Sequence, residues 1–436
     1  MNRSIYRCAF QTALAAGLIL QAAGALADQT YWLDDEFEAV AKAHATRKAI
    51  VADERDGPGW PVEIRRIRYD QLHFRGYSST PDLRDADQKW VGAYQLYRFA
   101  GEHRLEEVGT RNMAGERNGL AVGFTRDGDL AYETPYVDGV MQGMGRIYVR
   151  GELRHLTPLV NGQREGIQTT YYDGRIRKIT ELHDDKIDGM VEEYGYGRSP
   201  QVLTRRAHYR AGKLNGWERI WSLDGALMKE TQYVDDKKNG VERRWEDQAA
   251  GHLDAVYHYR NGKLYGLLQE YSGGRLDEER VLGDDKRRLR RTQFWPIKGS
   301  PRKVEERIDT DKQGREQRVT ENFSNTGHLV TRRIIFADTP HRIVTRFAGD
   351  GGIIYREEVV AGKKTGLQID ETYEGGYEWR RYDDEGRLHG EQADHRRDGT
   401  INRWQMNHGK PADEAAARAM EDEQAARARR DRTRPA

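Results

Sequence analysis

The residues that most often do chemistry are arranged here without the spacings that chemistry requires. Thirteen histidines are scattered along the chain, and none falls at the spacing of a zinc helix. There is no nucleophile elbow, no glycine-rich phosphate loop and no Ser-His-Asp-like grouping. The run Asp309-x-Asp311-x-Gln313-Gly314 begins like a calcium loop, in which alternate carboxylates converge on one cation. Its twelfth position is Thr320, and Glu321 falls one place late, so the run reads as a solvated β-turn. The basic run from Lys286 to Arg291 has the charge to meet phosphate or lipid, and reads first as a solvated loop. Glycoside hydrolysis needs two acids at a set separation. Every expected strand offers Asp or Glu, and nothing singles out a pair. Carbohydrate binding or glycosidase-like activity on a sheet face therefore stays open as an alternative. No catalytic residue, cofactor or metal is expected.

What does recur is a glycine. Gly92, Gly119, Gly143, Gly166, Gly189, Gly216, Gly240 and Gly266 follow one another at intervals of 23 to 27 residues. Five residues after each comes an aromatic: Tyr97, Phe124, Tyr148, Tyr171, Tyr194, Trp221, Trp245 and Tyr271. In a chain that is 9% aromatic, this is a period and not an accident. Such a period marks a stacked repeat, each unit burying its apolar face against its neighbours.

One unit runs Tyr259-Arg-Asn-Gly262-Lys-Leu-Tyr-Gly266-Leu-Leu-Gln-Glu-Tyr271-Ser-Gly-Gly274-Arg-Leu276. Asp138-Gly139, Asn161-Gly162 and Asn261-Gly262 are two-residue hairpin signals, because a type I′ turn needs positive φ at both central residues. Second turns follow at Asp127-Gly128, Asp173-Gly174, Asp224-Gly225 and Gly273-Gly274. Each repeat is thus a β-hairpin. The residue after the glycine is bulky and apolar in most units: Leu120, Met144, Ile167, Met190, Trp217, Val241 and Leu267. The aromatic lies four residues further, on the same face by strand alternation. This places aromatic and aliphatic ladders on one face, expected to be the core, and charged residues on the other. The glycine is expected to serve a close backbone approach or a bulge.

The unit Tyr-x-x-Gly-Lys-x-x-Gly, an aromatic five residues on, then Gly-x-Leu resembles the variant MORN repeat of bacterial antitoxin-like proteins of the YwqK type. The resemblance covers about residues 90 to 280, and resumes at Val359-Val-Ala-Gly362-Lys-Lys-Thr-Gly366 and at Glu385-Gly386-Arg-Leu388-His-Gly390. It implies a curved single-layer sheet that acts as an interaction surface without catalytic residues. The chain departs from the pattern at Asp185 and Asp236, which replace a turn glycine, and at Glu371, which stands where the aromatic after Gly366 would be.

The ends and the composition bound the setting. Arg3 and Arg7, the apolar stretch Ala13 to Ala25 and the small-x-small site Ala25-Leu26-Ala27 read as a secretory signal peptide cleaved after Ala27. Cys8, the single cysteine, would leave with it, so neither disulfides nor thiolate ligands are expected in the mature chain. Periplasm or secretion follows. Lys plus Arg (72) nearly balance Asp plus Glu (71), which gives no global field to draw nucleic acid. Membrane association is not indicated.

The expected fold is all-β: an elongated single-layer antiparallel β-meander of repeated hairpins, with a short N-terminal cap and a C-terminal helix. The segments are a signal peptide over 1–27, a capping region over 28–88 and a repeat array over 89–285. Degenerate repeats and a loop follow over 286–348, a second array over 349–410, and a charged Ala-rich helical tail over 411–436. In the cap, Leu33 to Lys48 is expected as a short helix, and Val62 to Tyr69 as a strand paired with Gln71 to Tyr77. The expected function is non-enzymatic protein binding in the envelope, most concretely as an immunity protein that occludes a delivered toxin. The alternative is a general envelope scaffold or assembly factor. Trp217, Trp221, Trp245 and Tyr271, the richest aromatic group, are the expected binding residues if the rings are not simply sheet core.

Overall fold

The computed structural model describes residues 29–98, 104–195, 201–246, 251–284, 287–297, 299, 301–372, 375–415, 417–418, 421–422 and 424–425. The signal peptide expected over 1–27 lies outside them. Among the described residues there are 35 strands, paired antiparallel in a meander of successive hairpins. They fall into two compact units, one of residues 1–226 with 233–236, the other of 227–232 with 237–436.

The first unit begins with a packed cap. Strands Gln29–Leu33, Arg47–Val51, Trp60–Arg66, Gln71–Ser78 and Trp90–Arg98 pair in that order. Tyr31, Leu33, Ala49, Val51, Val62, Ile64, Phe74 and Tyr94 bury one face, and Leu83 from the connecting loop closes over them. Phe37, Phe74 and Trp90 meet edge to face at centroid distances of 5.2 to 6.3 Å, a geometry that aligns ring edges with ring faces. The expected strand and hairpin partner are present as Trp60–Arg66 and Gln71–Ser78. The helix expected from Leu33 to Lys48 is not. That segment holds one 3₁₀ turn, Lys42–His44, before the strand Arg47–Val51. Arg47, Ala49 and Val51 are all buried, so the local period is two and not 3.6.

The repeats follow. At the first turn of each hairpin the left-handed backbone is taken by various residues: Asp138 at φ 45, Asn161 at 51, Asp184 and Asp185 at 47 and 64. This well near φ +57° is open to Asn and Asp, which is why Asp185 replaces a turn glycine without harm. Six of the eight repeat glycines are different, while Gly92 and Gly266 stay in that well at φ 67 and 69. Gly143 has φ 116 and Gly189 φ 112, values outside that well which a Cβ disfavours. A bulge forms there: between the pairs Thr180–Val191 and Leu182–Ile187, the single residue Glu181 opposes Asp188, Gly189 and Met190. A Cβ on Gly189 would also lie 2.8 Å from the Glu181 Cβ. At Gly189 the glycine therefore serves the expected bulge, and what approaches it closely is the Glu181 side chain and not the backbone that was expected.

This bulge decides which face is buried. The second residue after the glycine, not the first, goes deepest: Tyr94, Ala121, Gly145, Val191 and Glu218 are all buried. Opposite them stand Gly109, Thr134, Thr157 and Ala207. By alternation this is the face away from the aromatic ladder. The expected core face is thus the more open one, and the face expected to be charged is the more closed. A bulge bends the strand and raises its local twist.

In the second unit the same pattern continues from Lys237–Trp245 through Gly266–Ser272, with Glu242 and Leu268 buried at the second position. Strands Arg288–Phe294, Arg302–Thr310, Glu316–Phe323, Leu329–Phe336 and His341–Phe347 pair in unbroken succession. The unit ends with Gly390–His395 paired to Ile401–Asn407, where Trp404 and Met406 pack with Leu388. The expected C-terminal helix is not established, since only scattered residues beyond 415 are described.

Candidate functional site

The ladder face of the first unit carries a continuous apolar row. Leu120 stands opposite Pro135, and Pro135 packs against Gly143. Met144, next to that glycine, stands opposite Pro158, which packs against Gly166 beside Ile167. Met144 keeps 39% and Ile167 57% of their surface in water. Val137 and Val160, at the adjoining hairpin ends, are exposed as well. A proline at each return strand gives the row a fixed shape, because its ring locks φ.

The four expected binding residues are all half-buried. Trp217 and Trp221 share one face of the strand Lys213–Trp221, with the Arg219 guanidinium 5.5 Å from the Trp217 ring centroid. Trp245 pairs across its hairpin with Leu253, and the Tyr271 hydroxyl donates to Gln269 Oε1 at 3.2 Å. The first two belong to one unit and the last two to the other. The same aromatic position recurs with the same support elsewhere: the hydroxyls of Tyr97 and Tyr194 donate to Gln95 and Glu192, two residues back. Burial pushes the Tyr194 hydroxyl up to about 12, helped by its bond to Glu192.

The closed face is built from ion pairs. Glu107 accepts from the hydroxyls of Tyr94 and Tyr132 and lies 2.7 Å from Arg117 Nη2. Burial raises both tyrosine hydroxyls, and the Glu107 carboxylate raises them further. Glu218 accepts from Arg205 Nε at 2.8 Å and from the Tyr233 hydroxyl at 3.3 Å. Glu242, fully buried, is held by Lys238, Arg244 and Thr231. Glu321 sits 2.7 Å from both Arg307 and Arg332. Burial alone would raise the Glu242 and Glu321 carboxyls, yet the hydrogen-bonded cations hold them below the usual carboxylate range. Glu242 and Glu321 are thereby favoured as anions. Their chemistry is to hold strands together.

Two further groupings bring together residues that are remote in sequence. Glu165, His183 and Asp184 meet at adjacent hairpin ends, with His183 Nδ1 2.8 Å from Glu165 Oε1. The Glu165 hydrogen bond raises the His183 pKa, which favours the protonated ring. Asp383, Glu385 and His408 form the second, and Arg387 already bridges both carboxylates. The calcium-like run is a turn: the Asp311 carboxylate accepts from the backbone of Gln313 and Arg315 and pairs with the Arg315 side chain. In the basic run, Arg287, Arg288 and Arg291 pair with Glu316, Glu306 and Glu278.

Sequence reasoning missed the buried position because its residues share no chemistry. Tyr94, Ala121, Gly145, Val191, Glu218, Glu242 and Leu268 show no common hydropathy. The signal available was the bulge glycine itself, which resets the strand alternation.

No helix of the described residues is long and apolar enough to cross a membrane. No family model matches this chain, and no curated protein matches it. Among solved structures it is similar, at 10% identity and a TM-score of 0.12, to TcdB2-TccC3 without its hypervariable C-terminal region, over 87% of this chain and 31% of that one. Similarity to TcdB2-TccC3 itself has the same identity and TM-score, over 87% and 32%. The Photorhabdus luminescens Tc holotoxin pore is similar at 10% identity and a TM-score of 0.10, over 88% and 33%. This chain thus spans about a third of the length of these structures.

Proposed function

We propose that this chain is a non-enzymatic, protein-binding repeat protein of the cell envelope, most concretely an immunity protein that occludes a delivered toxin. The observation that carries the reading is the apolar row Leu120, Pro135, Met144, Pro158 and Ile167, on the face that the bulges leave open. Met144 and Ile167 are exposed, with Leu120, Pro135 and Pro158 half-buried beside them, and an apolar patch open to water marks a place where a partner excludes it. Trp217 and Trp221 add half-exposed rings to the ladder face of the same unit. The acids of the opposite face are committed to ion pairs, which favours a binder over a catalyst. The leader expected over 1–27 supports an activity outside the cytoplasm. The mechanism is steric: the row covers the toxin's active site and substrate cannot enter.

A deletion strain tests this in competition with neighbours that secrete toxins. The deletion should sensitise cells to one such effector, and wild-type protein should restore resistance. The double substitution Met144→Asp with Ile167→Asp, made at exposed sites, should fold and fail to restore it. A deletion strain that is no more sensitive to any effector would end the immunity reading. A pull-down that returned envelope-assembly machinery would move the assignment to a scaffold.

A further inference from the structure

The near balance of charge over the whole chain conceals an uneven distribution. Of its 72 Lys and Arg and 71 Asp and Glu, residues 286–346 hold 16 and 7, which leaves 56 and 64 elsewhere. One stretch is therefore +9 and the remainder −8. Separated charge of this size steers association with a surface of the opposite sign.

Three adjacent strands of the second unit, Glu316–Phe323, Leu329–Phe336 and His341–Phe347, present the positive charge on one face. Arg318 stands opposite Ile335, and Arg333, two residues before Ile335, stands opposite Val344. Arg346 lies two residues beyond Val344, so alternation puts all five side chains on the same face. The other face is closed, with Val319, Glu321, Phe336 and Thr345 all buried. This one is open: the three arginines are exposed, and Ile335 keeps 44% of its surface in water. The arginines step diagonally from strand to strand, about 8 Å from Cα to Cα at ordinary strand spacing and rise. That is close to the Debye length of about 8 Å at physiological salt, so the charges act together.

Most neighbouring cations are already committed. Arg307 and Arg332 hold Glu321, Arg342 holds Glu357, and Arg287 holds Glu316 beside Arg318. Among the described residues no carboxylate pairs with Arg318, Arg333 or Arg346. Arg346 lies 4.8 Å from the Tyr355 ring centroid, a contact that leaves its charge in place.

The apolar row of the first unit has the complementary rim. Val137 and Val140, 52% and 44% exposed, flank the turn Asp138-Gly139 beside Met144. The carboxylates of Asp138 and Glu116 both accept from the Asn112 side-chain amide, at 2.9 and 3.1 Å. That amide is neutral, and no Lys or Arg pairs with either acid among the described residues. Two anions therefore stand uncompensated beside exposed apolar side chains.

We propose that the arginine face takes a second copy of this chain, docking on that copy's apolar row. Ile335 covers the exposed Val137, Val140 and Met144 side chains, and the free arginines face Asp138 and Glu116. The contact joins two different surfaces, so each copy keeps one of each to offer and association can propagate. A nucleic acid suits the face less well. It would leave Ile335 without an apolar partner, and base stacking needs exposed rings, whereas Tyr355 is half-buried. A second copy covers the row until another partner displaces it. The inference rests on the same row as the immunity reading, but self-association reports on it and survival reports on the other.

Sedimentation velocity of the full mature chain at low salt should show association that grows with protein concentration. It should be lost at about 1 M salt, where the Debye length falls to about 3 Å. Arg318→Glu with Arg333→Glu should raise the dissociation constant about tenfold or more, and Glu116→Lys with Asp138→Lys should do the same. All four sites are exposed, so both variants should melt as the wild type does. Mixed together, the two reversed variants should associate again, because each offers the other a complementary pair. A wild-type chain that stays monomeric overturns the proposal, whatever oligonucleotide or anionic vesicle the arginine face then takes. So does undiminished association by either variant alone, or a mixture that stays monomeric. A deletion strain sensitised to a toxin, with no self-association of the protein, would sink this inference and leave the immunity reading standing.

Discussion

The cap and the repeats of the first unit close a sheet face by different means. In the cap, Leu33, Ala49, Val51, Val62 and Ile64 pack directly on one another, and the loop carrying Leu83 seals them. In the repeats the buried position is often polar, and Glu107 or Glu218 is held there by Arg and Tyr side chains from neighbouring strands. The cap therefore rests on area removed from water, which depends weakly on pH and salt. The repeats rest partly on charge pairs, whose removal leaves a buried partner unsatisfied. A repeat can vary its buried residue from unit to unit because the bulge glycine, and not the side chain, sets the geometry.

Substitutions should separate the two regimes, beginning with the cap. Leu33→Ala, at a fully buried site, should cost about 2–5 kcal/mol in urea unfolding, independent of salt. A loss under 1 kcal/mol by the same rule would mean that the cap is not the packed core of its unit. Gly189→Ala should cost about 1–3 kcal/mol, since φ 112 is strained for any side chain. Asp185, at φ 64, should accept Asn with little change in the melting midpoint. Glu107→Ala should cost about 1–3 kcal/mol, because the buried Tyr94 hydroxyl loses its acceptor. Its conservative partner Glu107→Gln should recover part of that loss.

Acid titration sharpens the comparison further. His73 accepts from Arg47 Nε at 3.0 Å, and burial, with Arg66 and Arg47 beside it, pushes its pKa down to about 4. The unfolded chain takes up that proton first, near the ordinary 6.5, so the cap loses stability as pH falls from about 6.5 to about 4. Glu242, Glu278 and Glu321 lie below their ordinary 4.5. Their stabilisation is complete above that value and is lost as pH falls through their folded values. Thermal melts across pH should show both limbs. His73→Asn should flatten the upper limb alone and Glu321→Gln the lower, and exchange of those outcomes would refute the division. The smallest effect belongs to the open face: Ile167→Ala should change stability by less than about 0.5 kcal/mol.

The hairpins were legible in the sequence because turn chemistry is local. Asp138-Gly139 and Asn161-Gly162 specify positive φ at two adjacent residues whatever surrounds them. The segment Leu33 to Lys48 was misread as helix, since its Ala and Lys residues favour a helix until Arg47 finds Asp35 and His73. For the candidate site, the ladder residues were identified and their burial was not. Met144 and Ile167 look like core by hydropathy, yet both lie exposed on the ladder face.

By itself the sequence determined the repeat length, the turn types, the antiparallel meander and the parity of the ladder, all set within a few residues of each glycine. Only the tertiary structure decided which face closes, which acids meet which cations, and how open the apolar row remains. Those depend on bulges added over successive strands and on side chains brought together from neighbouring hairpins, as Glu107 is by Tyr94, Arg117 and Tyr132. Spacing along a chain records a local conformation. It does not record the direction in which a sheet curls.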